Sequence, residues 1–319
     1  QYNQAAADDL KKYDERIAAI RAEKPVENFL RTVMEPAGHL PASHRFHRGE
    51  FGQPKEAVTP GELQAASLFT EAPEIPVDDP SLPTSGRRLA YAKWLTSGRH
   101  PLLARVLMNR LWLHHFGRTF VSTPGEFGRL GAEPQQLELL DWLAVWFMEQ
   151  EWSLKGLHRL IVTSATYRQS SRAGAALRER DPDNRLLARG PRHRLPSWMI
   201  RDQALAVAGL INLGMGGPSV RPYQPAGIWE EATFGKKTYV QDHGDALYRR
   251  SLYVFWRRIV GPTTFFDSGS RQVCTLKVPR TNTPLHALVT LNDPAYVEAA
   301  RVMAQRVLAE AGDDTSRLA

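Results

Sequence analysis

The sequence holds a single cysteine in 319 residues. This excludes an intrachain disulfide framework, a CxxCH haem-attachment motif, a CxxC redox pair and an all-cysteine zinc site within these residues. Lysine is scarce as well. Nine lysines stand against 32 arginines, and the arginines are spread along the chain rather than gathered in a stripe, so the net charge of +7 does not make a nucleic-acid interface. No run nears the roughly 18 to 20 apolar residues of a membrane helix, and QYNQAAADDLKKYDERIAAI does not read as a signal peptide. Also missing are HExxH, GxSxG, GxGxxG and a Walker-type loop. His114 and His115 are adjacent, so on a helix they diverge by about 100° and cannot share one ion, and His44, His47 and His243 are isolated; no metal site is expected.

What remains is an ordinary globular composition, 42% hydrophobic and 24% charged. Residues 1–24 predict a polar helix whose large apolar residues, Leu10, Tyr13, Ile17 and Ile20, are spaced three and four apart like a coiled-coil seam in need of a partner. Residues 25–83 are broken by prolines and read as an extended lead-in, with a short strand at His44 to Glu50. Helical periodicity then dominates from 84 to 311, before a short tail at 312–319. Helices are predicted near 86–97, 101–116 with Gly117 as a stop, from Pro134 along Leu137, Leu140, Ala144, Phe147 and Met148, and from an N-cap at Ser153 to about Ser164. Others are expected from Pro196-Ser197 to about Leu213, at 284–291 and at 294–311, the last two behind Thr283-Pro284 and Asp293-Pro294. The segment 214–249 is a long loop, and SLYVFWRR reads as a strand. The fold class is mainly α: an irregular helical domain with a few short strands, preceded by a helix and a proline-rich lead-in.

Polar residues on apolar faces carry the candidate chemistry. Asp141 shares the face of Leu140 and Phe147, Asn109 and Arg110 stand similarly to Val106 and Leu113, and Arg110 is the natural partner for Asp141. Thr166 to Ser171 concentrates Tyr167, Arg168 and Gln169, and DPDNRLL follows with Asp181 as a cap and Asn184-Arg185. Such a cluster either ties loops together or recognises a saccharide or anion. Arg201-Asp202 falls in the first turn of a helix, where the aspartate favours the dipole. Arg257, Arg258, Arg271 and Arg280 surround Asp267 and Cys274, a candidate cationic pocket; Cys274 itself reads as a packed small residue.

The blocks RRLAYAKWL, HPLLARVLMNRLWLHHFGRTFVSTPGEFGRLGAEPQQLELLDWLA, WSLKGLHRLIVTSATYRQSS, DPDNRLLAR, IRDQALAVAGL, RRSLYVFWRR and TPLHALVTLNDP occur in that order over about residues 84–311. In this the chain resembles the PSD domain, a planctomycete-type domain of unknown function that forms the C-terminal part of exported proteins carrying c-type cytochrome domains. The stretch SHRFHRGEFGQPKEAVTPGEL is similar to the family's lead-in, departing from it at Lys55 and Glu56. The residues matching family blocks are Asn109, Arg110, Asp141, Tyr167, Arg168, Gln169, Asn184, Arg185, Arg201, Asp202, Arg257, Arg258, Thr283, Asn292 and Asp293.

The resemblance implies an extracytoplasmic location, with haem c confined to other domains of a parent protein and those domains, or a c-type cytochrome, as partners. It brings no established reaction. The functional expectation is an extracytoplasmic module that binds a saccharide or anion for a redox partner, with the inward polar residues lining one pocket. The alternatives are a non-catalytic assembly domain, and a glycoside hydrolase using Asp141 with Asp202 or Glu126 as a carboxylate pair.

Overall fold

The computed structural model describes residues 4–23, 35, 39–63, 66, 68, 70–257, 259–269, 273–278 and 280–310. Eleven α-helices and one two-stranded antiparallel sheet make up its regular structure among these residues, so the protein is mainly α. Contacts divide the chain into two units, Gln1–Arg99 and His100–Ala319.

The first unit opens with α1 (Gln4–Glu23), whose seam residues are exposed. The hairpin β1 (Ser43–Phe46) and β2 (Pro54–Val58) pairs Ser43 with Val58 and Phe46 with Pro54. Both strands face water, so cross-strand hydrogen bonding rather than burial holds them. The expected strand through Glu50 stops at Phe46, because Arg48 and Gly49 adopt positive φ and turn the chain into a 3-10 segment. Helix α2 (Arg87–Leu95) buries Trp94, whose indole N–H donates to Glu62 at 2.7 Å.

The second unit is built around α3 (Leu103–Phe116), α4 (Leu137–Glu149) and α5 (Leu154–Thr163). Buried positions 104, 108, 112 and 116 on α3 and 140, 143, 144 and 147 on α4 fall on single helical stripes, and Leu157 and Ile161 of α5 close the core. Gly117 ends α3 in the left-handed region, with its N–H on the Leu113 carbonyl. A side chain there would run into His193 at under 3 Å, so this glycine also permits a close approach. Asn109, with 0% exposure, takes the place of a backbone partner for the segment after α3. Its amide donates to the Val121 carbonyl at 3.2 Å and its Oδ1 accepts from the Val121 N–H at 2.9 Å. Ser153 caps α5 as its position predicts, accepting from Gly156 N–H.

Short helices α6 (Ala165–Arg168) and α7 (Ala175–Arg180) lead to α8 (Ser197–Ala208). Helix α9 (Ile228–Ala232) punctuates the long loop, and α10 (Pro284–Asn292) and α11 (Pro294–Glu310) follow, with α11 packed on α8. Both begin on the predicted prolines, and Asp293 Oδ1 accepts from the Ala295 N–H.

Three further features differ from expectation. Helix α4 starts at Leu137 instead of Pro134, because Gln136 takes a positive φ and the Gln135 N–H is held by the Phe120 carbonyl. Helix α8 stops at Ala208 rather than Leu213, since Gly209 turns left-handed and the Leu210 N–H returns to the Leu205 carbonyl. SLYVFWRR is not a strand. Ser251–Tyr253 forms a 3-10 turn, and only isolated bridges join Val254 to Val220 and Arg257 to Val260. Among the described residues the aromatic and β-branched run has no neighbouring strand to pleat against, and Val254 is instead buried in a small cluster with Val220 and Phe265.

Replacing Asn109 leaves the Val121 N–H and C=O buried without partners. Asn109→Ala is therefore expected to destabilise the protein by about 2–4 kcal/mol in urea unfolding, far more than a surface Asn→Ala change.

Candidate functional site

The inward polar residues do not gather in one pocket. Asp141 is paired with Arg105, Nε to Oδ1 at 2.6 Å, with both side chains partly exposed. This corrects the expected Arg110 partner. Arg110 lies five positions beyond Arg105 and so points about 140° away around α3. Gln169 donates to the carbonyls of Thr166 and Leu187, at 3.1 and 2.8 Å. Asn184, at positive φ, exchanges two hydrogen bonds with the Arg189 backbone. The Asp181 carboxylate accepts the N–H groups of Leu186 and Arg185, at 2.8 and 2.7 Å, and these bonds hold its pKa below the usual range. Arg168 and Arg185 are exposed, and the Arg185 carbonyl accepts from Gln136. Tyr167 stands edge-on to Phe116 and His115. Arg257 lies over the Trp229 ring at 5.8 Å. Arg258 falls outside the described residues, as does Arg271.

Arg201 is 1% exposed. Its guanidinium donates to the carbonyls of Leu247 and Arg249 at 2.8 and 3.0 Å and to the Ser251 hydroxyl at 3.3 Å. Asp202 accepts the Ser251 N–H and hydroxyl at 2.8 and 2.7 Å and lies 3.5 Å from the Arg201 guanidinium. Burial pulls the Arg201 pKa down, and the Asp202 charge opposes that. These two residues clasp the 244–253 segment to α8.

A separate cleft of about 590 Å³ opens between the C-terminal half of α3, the lead-in to α8 and the loop 266–280. Its wall carries Arg110, Arg194, Lys277 and Arg280, together with His114 and His193. Trp198 and Phe266 supply aromatic surface, and Asp267 is the carboxylate. Asp267 is already engaged: it accepts the Thr281 N–H and hydroxyl at 2.6 and 2.7 Å and sits 3.7 Å from His286 Nε2. Burial pushes its pKa up, but the Thr281 hydrogen bonds and the nearby His286 and Arg194 outweigh this and leave it lowered. Arg194 braces the wall by donating to the Thr281 carbonyl, Asn282 and His286 Nδ1, at 2.7, 3.0 and 3.3 Å, while Arg280 donates to the Arg194 carbonyl at 2.8 Å. With His286 Nδ1 facing Arg194, the Asp267–His286 pair has no free ring nitrogen to act as a general base.

Two buried polar atoms of the lining have no hydrogen-bond partner among the described residues, Ser197 Oγ and His193 Nδ1. Burial lowers the pKa of both His114 and His193, and the Arg280 charge adds to it. A shallower pocket shares His193 and Arg194 and is lined by Tyr167 and His115, whose Nε2 meets His158 Nδ1 at 2.7 Å.

The sequence identified Arg280 and Asp267 as part of a cationic pocket, and Arg110 by its face on the helix. It missed His114, His193, Arg194, Trp198 and Lys277. The run PRHRLPSW was the available signal: two arginines, a histidine and a tryptophan around a helix start. Cys274 is exposed rather than packed, because it lies on the 266–280 loop and not in a helix interior.

Because His114 and His193 titrate below their ordinary value of about 6.5, the unfolded chain takes up protons before the folded one. Their contribution to stability is complete above about pH 6.5 and is lost as pH falls below it. The thermal midpoint should therefore drop from pH 7 to 5, and the drop should be shallower in the His114→Gln, His193→Gln double variant. Equal slopes would show that the cleft does not hold these rings neutral.

A family model described as PSD1, protein of unknown function (DUF1553), matches residues 87–319. No match was found among curated proteins or among solved structures.

Proposed function

The chain belongs to the PSD1 family of proteins of unknown function, and we propose that its helical unit is a binding module for an anionic saccharide, held in the cleft at the N-terminus of α8. One observation carries this reading. The cleft sets four permanent cations, Arg110, Arg194, Lys277 and Arg280, against one carboxylate that Thr281 already engages. Such a wall has a surplus of positive charge in a concave, partly dry site, where an anion gains most. Trp198 and Phe266 provide apolar faces of the kind a sugar ring packs on, and Ser197 Oγ and His193 Nδ1 are polar groups in want of a partner.

The block-by-block resemblance to planctomycete-type exported proteins supports two further parts of the proposal: that the module works outside the cytoplasm, and that it presents its ligand to a c-type cytochrome or other domains of a parent protein. With one cysteine the chain itself does not fit a covalently attached haem, so haem c belongs to those other domains. No described helix is long and apolar enough to cross a membrane.

A second reading, a structural assembly domain, is favoured by the internal ties of Asn109, Gln169, Asn184, Arg201 and Asp202. The hydrolase alternative finds no support in the geometry. Asp141 is held by Arg105 and Asp202 by Ser251, and none of Asp141, Asp202 and Glu126 lines the cleft.

Calorimetric titration with a sulfated or uronate oligosaccharide, beside the neutral oligosaccharide of the same backbone, tests the proposal. The anionic ligand is expected to bind, more weakly as salt rises, and the exposed-site double variant Arg110→Ala, Lys277→Ala to weaken it at least about tenfold with an unchanged melting temperature. Absence of binding by any anionic saccharide, or equal binding of the neutral one, would leave the assembly reading in its place.

A further inference from the structure

Helix α1 carries a seam that no described residue covers. Leu10, Tyr13, Ile17 and Ile20 are between 44% and 65% exposed and lie on a stripe about 80° wide, at the alternating three and four spacing of a heptad. In a helix of 20 residues this apolar stripe is the one face that pairing could bury.

The flanking charges say which partner fits. Asp9 and Arg16 border the stripe on one side, Asp14 and Arg21 on the other. In a parallel pair of identical helices each flanking residue meets the one five positions along on its neighbour, which sets Asp9 against Asp14 and Arg16 against Arg21. In an antiparallel pair with the seam fully overlapped, Arg16 meets Arg16, Asp14 meets Asp14 and Asp9 meets Glu23. The parallel arrangement places like charges together at both flanking steps, and the antiparallel one does so at every step where two charges meet, Arg21 falling opposite Ala7. Sliding the two helices by one heptad relieves the repulsion but removes a heptad from a seam that holds fewer than three. Lys12 lies 3.2 Å from Asp9, but both side chains are largely in water, so that pair offsets little of the repulsion.

We infer that α1 is one strand of a heteromeric coiled coil, and that its partner is a helix of a different sequence with the inverse charge order: basic residues beside Asp9 and Asp14, acidic residues beside Arg16 and Arg21. The same charges that disfavour a second copy favour this partner at each step, so the pattern selects as well as attracts. The inference stands on α1 alone and does not depend on what the cleft binds.

The test uses the full chain and two synthetic 21-residue helical peptides with the same leucine and isoleucine seam. One carries lysine opposite Asp9 and Asp14 and glutamate opposite Arg16 and Arg21; the other has these swapped. The chain alone is expected to sediment as a monomer. By fluorescence anisotropy at low salt the complementary peptide should bind at least about tenfold more tightly than the swapped one, the gap should narrow as salt rises, and Ile17→Asp should abolish binding while the melting temperature stays unchanged. Equal affinity of the two peptides, failure of both to bind, or self-association that Ile17→Asp removes would each overturn the inference.

Discussion

The Arg201 guanidinium sits in the interior with almost no contact with water, and the segment that follows the long loop is arranged around it. A cation in that position is costly unless its donors are met. Here the two terminal nitrogens are met by main-chain oxygens 46 to 48 residues away, at Leu247 and Arg249, and by the Ser251 hydroxyl, while Nε has no partner among the described residues. The loop carbonyls in turn need donors, because this stretch has no sheet to supply them. One side chain thus meets the needs of the loop carbonyls and most of its own, and Asp202 adds to the arrangement by taking the Ser251 N–H. Asn109 against Val121, Gln169 against Leu187 and Asn184 against Arg189 repeat the device on a smaller scale. In a helical protein with long irregular connections, inward polar side chains act as substitute backbone partners.

That role explains what was legible in the sequence. Helices α3, α5, α10 and α11 could be placed because period and capping are local: Ser153 before α5, Gly117 after α3 and the prolines opening α10 and α11 act within a few residues. Periodicity also pointed Asn109 and Asp141 inward or onto a packed face, but it could not say what they would meet; Arg201 was placed only in a first helical turn. Asp141 meets Arg105 rather than Arg110 because the crossing of α3 over α4 decides which arginine arrives, and no local rule encodes that crossing. The apolar run at 251–258 read as a strand because propensity reports the fit of side chains to a sheet, and here no sheet was built for it.

The cleft was the hardest feature to read for the same reason. Its walls come from residues 110–117, from 193–198 and from 266–267, 275–278 and 280, three regions separated by more than sixty residues each. None contains a motif, and the site exists only through their convergence. Gly117 is the contact that allows it, since the absent side chain leaves room for His193. Convergence also accounts for its electrostatics. Burial first, and the Arg280 charge second, depress the protonation of His114 and His193. An arriving anion would offset the Arg280 part of that depression, which couples ligand capture to proton uptake in this geometry.

The exposed sulfur of Cys274 adds a practical consequence. It is the chain's sole thiol, and the next residue, Thr275, lines the cleft. A maleimide dye or nitroxide attached there would sit at the mouth of the site in the unmodified sequence, and would register occupancy as a change in its own emission or mobility without any engineered reporter residue.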